Sequence, residues 1–456
     1  MDRAPSLKAN FVWQFLTNGL AAVSQLVIVL TLAKLTSKGI NGEFIYAWAL
    51  CTPLFMFAGL DLRAVQATDA RNEFSFADQF AIRLLTGLMA TVIALSVVLW
   101  LNRPGTLLWV VAAVSCGKYF ELVAETFVGF MQQRERFDLV TRSTAIRAFV
   151  SCSSLTLAII ATRDLTTSVM IWAACGLVNL ALVEVPWGKQ FLKGVQDQHV
   201  ADSTQPTAEP LPSLWRQRIT QTGMEKLLTL GFPLAIRSLL VSLTPSVARF
   251  FVEGYWGMSE LGPFGTISQL TMAAILFSRT LNPAVAPRLS RYLRDGNLAA
   301  FRMLLVQLRL FYAVLGIASV LTVLAFGPFI LSLIKPAYVG YHSVFVWAMV
   351  ATAMLFQGGV LDMSLVTLRR VDSLAKTSVL TLGTMSLSGW LLVPRLGLEG
   401  ASISMALSWM IRGLYLQYVL SSALKDVEQR LAAEPPSITD DKSVEASGSP
   451  VTRAVA

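Results

Sequence analysis

Apolar stretches about as long as a bilayer is thick recur along the whole chain, and this constrains its fold more than any other feature. A spanning helix needs about 20 mostly apolar residues. Twelve stretches qualify, at roughly 11–33, 41–60, 82–101, 107–130, 145–161, 168–186, 226–250, 264–286, 310–334, 343–365, 374–393 and 401–420. Charged residues make up only 14% of the chain and hydrophobic residues 54%, where a soluble globular chain has about 25% charged. The chain reads as an integral membrane protein. Its first stretch follows Arg3 and Lys8 as a signal peptide would, but it is longer and ends at "TLAKL" without a small-residue cleavage site, so it reads as an uncleaved first span. Cys51, Cys116, Cys152 and Cys175 all fall within spans, where they act as small apolar residues.

The net charge of +9 is a topology signal rather than a nucleic-acid footprint. Of the 37 Lys and Arg, 26 fall on the side that holds the N-terminus. Seven fall on the other side: Lys34, Lys38, Arg103, Arg163, Arg249, Lys335 and Arg395. Lys118, Arg237, Arg279 and Arg412 lie inside spans. Positive residues favour the cytoplasmic side, so both termini are expected there, as an even number of spans requires.

Two polar segments punctuate the spans. Residues 188–225, with "QDQHVADSTQPTAEPLPS", read as a flexible cytoplasmic linker. Residues 422–456, with "AAEPPSITDDKSVEASGSP", read as a disordered cytoplasmic tail. They bound an N-terminal lobe, 1–187, and a C-terminal lobe, 226–421, of six spans each and of the same orientation. A shift of 220 residues sets Gly42 on Gly262, Phe44 on Phe264 and Ala64-Val65 on Ala284-Val285. The order of elements matches too, which points to a parallel duplication.

The segments "LKANFVWQFLTNGLAAVSQLVIVLTLAKL", "GEFIYAWALCTPLF" and "DLRAVQATD" resemble the N-terminal region of bacterial polysaccharide-repeat-unit flippases. These belong to the multidrug/oligosaccharidyl-lipid/polysaccharide exporter superfamily. "LLTLGFPLAIRSLL", "NPAVAPRLSRYLRDGNL" and "VPRLGLEGASISMALSWMI" extend the likeness over about residues 7–421. Its motifs are loose Gly, Pro and Phe positions rather than a catalytic signature. The resemblance implies an all-α membrane protein of about twelve transmembrane helices in two parallel six-helix lobes around a central cavity, with the first helix of each lobe on the cavity wall. It implies undecaprenyl-diphosphate-linked oligosaccharide as cargo.

Intramembrane charges should face a bundle interior or a wet cavity, since charge at the bilayer centre costs at least a few kcal/mol. Lys118, Glu121 and Glu125 share one helix face. Two readings stay open for them: a neutralised structural set, or a cation for substrate with Glu121 or Glu125 coupling to ions or protons. Arg237, Arg279 and Arg412 have no acid nearby in sequence, and Asp362 could neutralise one or serve as a further coupling site. They are candidates to meet a diphosphate or acidic sugar, against the plain alternative of snorkelling to an interface. Gln14, Asn18 and Gln25 recur at helical spacing as candidates for sugar hydroxyls, or for interhelical hydrogen bonds. Pro233 and Pro245 flank Arg237 and offer kinks.

No GxxxxGK[ST] loop, HExxH pair or His/Cys metal spacing is present, and no nucleophile, base and orienting group assemble from the sequence. The chain is therefore expected to be no enzyme and to need no cofactor or metal. The function expected is alternating-access flipping of the lipid-linked repeat unit from the cytoplasmic to the periplasmic leaflet of the bacterial inner membrane, for O-antigen, capsule or exopolysaccharide. A polysaccharide polymerase and a chain-length regulator are candidate partners beside the bilayer, and nucleic acid is not. The rivals are a multidrug exporter of the same superfamily, whose lumen should show unpaired acids, and a membrane polysaccharide polymerase or ligase, which should carry a large outward loop.

Overall fold

The computed structural model describes residues 7–69, 74–103, 105–191, 220–368, 370 and 372–433. All the regular structure among them is helical. That is one of the two solutions hydrocarbon permits, because a helix bonds its backbone groups within a single segment. The N-terminal half comprises α1 (Leu7–Leu35), α2 (Lys38–Ala58), a short α3 (Leu62–Thr68), α4 (Phe76–Trp100), α5 (Thr106–Gln133), α6 (Phe137–Thr162) and α7 (Leu165–Phe191). The C-terminal half comprises α8 (Gln221–Trp256), α9 (Met258–Arg294), α10 (Leu298–Ile334), α11 (His342–Thr367) and α12 (Asp372–Ala433).

Local chemistry sets the helix starts. The side chains of Ser37, Ser75, Asp164, Thr220 and Asn297 each accept a backbone N–H in the first turn of the helix that follows. Gly257, at φ 80°, separates α8 from α9. Gly397, at φ 62°, breaks α12 into two helices end to end. With that break, each of the twelve expected spans coincides with one long helical segment. Ten stretches among the described residues are long and apolar enough to cross a membrane, the last of them, Asp372–Gln429, being the one that Gly397 divides.

The helices outrun several expected boundaries. α7 continues to Phe191, α8 begins at Gln221, and α12 runs to Ala433, so residues 422–433 are helical rather than part of a disordered tail. The rest of the expected linker and tail, 192–219 and 434–456, lies outside the described residues.

The apolar core is distributed unevenly along the bundle. At the end that carries the α1–α2 turn and residues 335–341, one cluster joins both lobes, with Leu32, Phe44 and Val110 packed together with Val252, Phe264 and Phe345. At the opposite end the lobes have separate cores, Phe76, Phe127 and Val140 in one and Phe301, Leu305 and Leu361 in the other. A smaller bridge there sets Leu60 and Leu62 against Leu227 and Ala235. Polar contacts reinforce the shared end. Asn41 Nδ2 donates to Thr266 Oγ1 at 2.9 Å and to Gly262 O at 3.2 Å. Lys335 Nζ donates to Thr36 O at 2.9 Å. Lys38 Nζ donates to the Tyr341 hydroxyl at 3.0 Å, which donates on to Glu260. Arg103 and Glu253 form a further ion pair between the lobes. The two lobes are thus sealed together at one end and less joined at the other.

A central cavity as the candidate functional site

Between the lobes lies a cavity of about 960 Å³. That is the upper part of the range of roughly 300–1,000 Å³ usual for small-molecule sites. It extends from the sealed end to Asp61, Arg63 and Gln132 at the other.

The N-terminal lobe supplies most of its charge. Helical spacing puts Lys118, Glu121 and Glu125 of α5 on one face, and all three line the cavity. Lys118 Nζ lies 2.9 Å from Glu121 Oε2 and 4.1 Å from the centre of the Trp48 ring. Glu121 keeps 44% of its side chain exposed, within the bundle. The stripe is therefore both neutralised at its first pair and part of the wall, so the two readings of it are not exclusive. Glu125 has no cationic partner at salt-bridge distance among the described residues. Gln14, Asn18 and Gln25 also line the cavity, with Gln14 Nε2 donating to Asn18 Oδ1 at 3.3 Å.

A second ion pair on this wall joins Arg147 of α6 to Glu184 of α7 at 3.0 Å. Glu184 is only 2% exposed and also accepts from Asn179 Nδ2 at 3.3 Å and Ser143 Oγ at 3.4 Å. It closes a π-helical turn, Leu180–Glu184, a distortion that recurs at functional sites. Glu184 was legible as an acid inside the apolar run "LALVEV". Arg147 lies at the start of the expected span 145–161, where it reads as one of the basic residues of the side that holds the N-terminus.

Among the described residues, the C-terminal lobe contributes hydroxyls, an amide and one cation. Ser242, Ser246, Gln269, Thr271 and Thr352 line this side together with Arg249. Arg249 is 9% exposed, forms no ion pair or hydrogen bond among the described residues, and its Nε is buried without a partner. The sequence places Arg249 at the end of the expected span 226–250 and so among the seven cations of the far side. α8 continues to Trp256, which carries Arg249 inside the helix and onto the wall.

The other expected cations are placed differently. Arg412 Nη2 lies 2.6 Å from Asp362 Oδ2, stacked 5.3 Å from the Trp409 ring. Trp409 borders the cavity, while Arg412 and Asp362 do not. Arg412 is therefore matched by an acid behind the wall, and Asp362 is its counter-ion rather than a cavity carboxylate. Arg237 stands one turn before the first wall residue of α8, Val241, and is likewise not on the wall. The helix backbone of α9 passes through Arg279, whose side chain lies outside the described residues. Nor is the wall net cationic among the described residues: Arg63, Lys118, Arg147 and Arg249 face Asp61, Glu121, Glu125 and Glu184. The bias is spatial instead, because all four of these acids belong to the N-terminal half and, among the described residues, the C-terminal half presents one unneutralised guanidinium at the wall.

No family model matches the chain. A capsular polysaccharide biosynthesis protein, CapF of Staphylococcus aureus, is 22% identical over 88% of this chain and 96% of that one. An inward-facing multidrug-resistance transporter of the MATE family and MOP superfamily superposes with a TM-score of 0.70 at 12% identity, covering 89% of this chain and 96% of the other. A MATE transporter in the outward-facing state gives 0.60 at 13% identity, covering 91% and 96%. A MOP-superfamily transporter from Pyrococcus furiosus, described by the reverse polarity of its binding pocket, gives 0.61 at 12% identity, covering 94% and 97%. The fold of this chain is that of the MOP-superfamily transporters.

Proposed function

We propose that this chain is a flippase that carries a polyprenyl-diphosphate-linked oligosaccharide across the bacterial inner membrane, from the cytoplasmic to the periplasmic leaflet. The observation that carries this reading is Arg249, a buried guanidinium at the cavity wall without a counter-ion among the described residues. Burying an unpaired charge is costly. A diphosphate would supply the missing partner through charge-assisted hydrogen bonds, and would gain a hydrated path past hydrocarbon it cannot cross cheaply. The remaining wall suits the glycan. Gln14, Asn18, Gln25, Ser242 and Gln269 offer donors and acceptors to hydroxyls, and Trp48 and Trp409 offer flat apolar faces for sugar rings. The capsule-related name of the Staphylococcus relative supports a surface-polysaccharide role.

The mechanism follows from the uneven core. With the lobes packed together at one end, the cavity is reached from the other, where the basic loops place the cytoplasm. The higher TM-score against the inward-facing neighbour than the outward-facing one agrees with that orientation. Rocking the lobes would break the sealed end and close the other, presenting the headgroup to the periplasm, with undecaprenyl-diphosphate as the carrier.

A specific observation favours a second reading. Asp61 and Glu125 line the wall without cationic partners at salt-bridge distance among the described residues, and such acids would suit an organic cation. A single experiment separates the two. In proteoliposomes, the flippase reading expects translocation of an undecaprenyl-diphosphate-linked repeat unit, reduced at least tenfold by Arg249→Ala, the scale of one lost charge-assisted contact. Export of organic cations that survives Arg249→Ala and fails in Glu125→Gln, with no lipid translocation, would establish the drug-exporter reading instead.

A further inference from the structure

The outer face of the C-terminal lobe holds a second cleft, of about 550 Å³, between α10 and α11. α11 itself divides it from the central cavity. Thr352 and Leu355 border the cavity, whereas Ala353, Met354 and Gln357 border the cleft. The two helices approach closely at Gly316, where a Cβ would lie 2.8 Å from the Cβ of Ala353. Leu310 and Ile317 on the rim are 63% and 61% exposed. On a membrane-spanning helix, apolar residues this exposed on an outer face meet lipid.

Arg309 borders the same cleft. From Leu310 to Ile334 the helix has no charged residue, a run long enough to cross a hydrocarbon core of roughly 30 Å. Arg309 ends that run, so it stands at the boundary where hydrocarbon gives way to headgroups. An arginine there could simply snorkel into water, but this one is held in place. Its Nη1 donates to Gln417 Oε1 at 2.6 Å and its Nε to Gln357 Oε1 at 3.5 Å, while Gln357 Nε2 donates back to Arg309 O at 3.0 Å. Two neutral amides from α11 and α12 thus orient the guanidinium, and no carboxylate among the described residues neutralises it. Nearby arginines differ: Arg302 pairs with Glu428 at 2.7 Å, and Arg370 pairs with Asp426.

A fixed cation beside a lipid-facing apolar cleft matches an amphiphile whose phosphate sits above a hydrocarbon chain. We propose that this cleft binds an anionic glycerophospholipid, with the lipid phosphate on Arg309 and one acyl chain laid along Leu310, Ile317 and Met354. The site stands apart from the central cavity and does not depend on what that cavity carries. The charge complementarity selects an anionic headgroup, and the narrowing at Gly316 selects a single slender chain.

The test is lipid binding to the purified full-length chain, measured by native mass spectrometry with phosphatidylglycerol, phosphatidylcholine and undecaprenyl phosphate as probes. Wild type is expected to prefer phosphatidylglycerol over phosphatidylcholine by roughly tenfold, the scale of one charge-assisted contact. Arg309→Gln should abolish that preference, and Arg309→Lys should keep part of it. Ala313→Phe, which fills the cleft and leaves Arg309 in place, should weaken binding of both phospholipids. Thermal melts without added lipid show whether each variant is folded. Equal binding of the two phospholipids by wild type, or an unchanged preference in folded Arg309→Gln, overturns the proposal. So does tighter binding of undecaprenyl phosphate that displaces phosphatidylglycerol, which would make the cleft a carrier-tail site.

Discussion

Gly42 and Gly262 are each pressed against the other's helix in a reciprocal contact. A Cβ on Gly42 would lie 1.9 Å from the carbonyl oxygen of Met258, and a Cβ on Gly262 would lie 2.3 Å from that of Lys38. Gly42 and Gly262 are 220 residues apart, and so are Lys38 and Met258. The duplication legible in the sequence is therefore realised as a pseudo-twofold contact between α2 and α9. On the axis of such a contact a position meets its own equivalent, and Ile45 does pack on Gly265, where a Cβ would come within 2.3 Å of Ile45 Cγ2. Only a residue without a side chain lets the two backbones approach this closely.

This contact predicts that Gly42→Val or Gly262→Val forces the sealed end apart. The obstructing atoms are backbone carbonyls, which cannot swing aside as a side chain could. Spin labels at Leu35 and Leu333, exposed positions on the two lobes at this end, should move further apart, and transport should largely fail. An unchanged label distance in folded Gly42→Val would show that the lobes are not held by this seam.

Tyr341 makes a second, softer prediction. Its hydroxyl accepts from Lys38 of α2 and donates to Glu260 of α9, with 3.0 Å to Lys38 Nζ and 3.0–3.1 Å to the Glu260 oxygens. Tyr341→Phe removes both bonds and leaves a cation and a carboxylate less well satisfied. Hydrogen bonds to charged groups contribute about 1.5–3 kcal/mol each, so the sealed state should lose roughly tenfold or more in population. Hydrogen exchange across residues 38–46 should quicken, and the fold elsewhere should remain protected.

The sequence made the helices, their order and the repeat legible because hydrocarbon leaves a chain few options. It located the α5 stripe of Lys118, Glu121 and Glu125 and the α1 face of Gln14, Asn18 and Gln25 for the same reason, since spacing along one helix fixes which residues share a face. It failed where azimuth and partner depend on another helix. Arg237 and Arg412 sit deep in their spans, which made them conspicuous, but depth does not say which way a residue points. Asp362 is 50 residues from Arg412 in the chain and 2.6 Å from it in space. Arg249 stands at the end of the expected span 226–250 and so reads as a far-side cation, whereas α8 continues to Trp256 and holds it well within the helix.

The Arg147–Glu184 pair predicts a graded response. Glu184→Ala leaves Arg147 without its nearest counter-ion, and leaves the Asn179 and Ser143 donors without an acceptor. Breaking a buried pair from one side costs about 3–5 kcal/mol, a loss that a thermal melt in detergent would register. Glu184→Gln retains acceptors for Asn179 and Ser143 and should destabilise less. Equal melting temperatures for the two variants would indicate that the hydrogen bonds from Asn179 and Ser143 contribute nothing beyond the charge.

Arg249 and Arg412 are both buried arginines of the C-terminal half, and they should respond oppositely to removal. Arg412→Ala strands Asp362, whose second oxygen is already buried without a partner, so stability should fall by about 3–5 kcal/mol. Replacing both residues with apolar ones of similar size, as in Arg412→Met with Asp362→Leu, should recover most of it, since the pair's desolvation cost disappears along with its attraction. Arg249→Ala removes a charge that has no counter-ion to strand, so the melting temperature should hold or rise while transport is lost. That split between folding and transport is what a ligand-directed cation produces and a structural one does not. A destabilised Arg249→Ala variant with normal translocation would move Arg249 from the cargo's path to the scaffold.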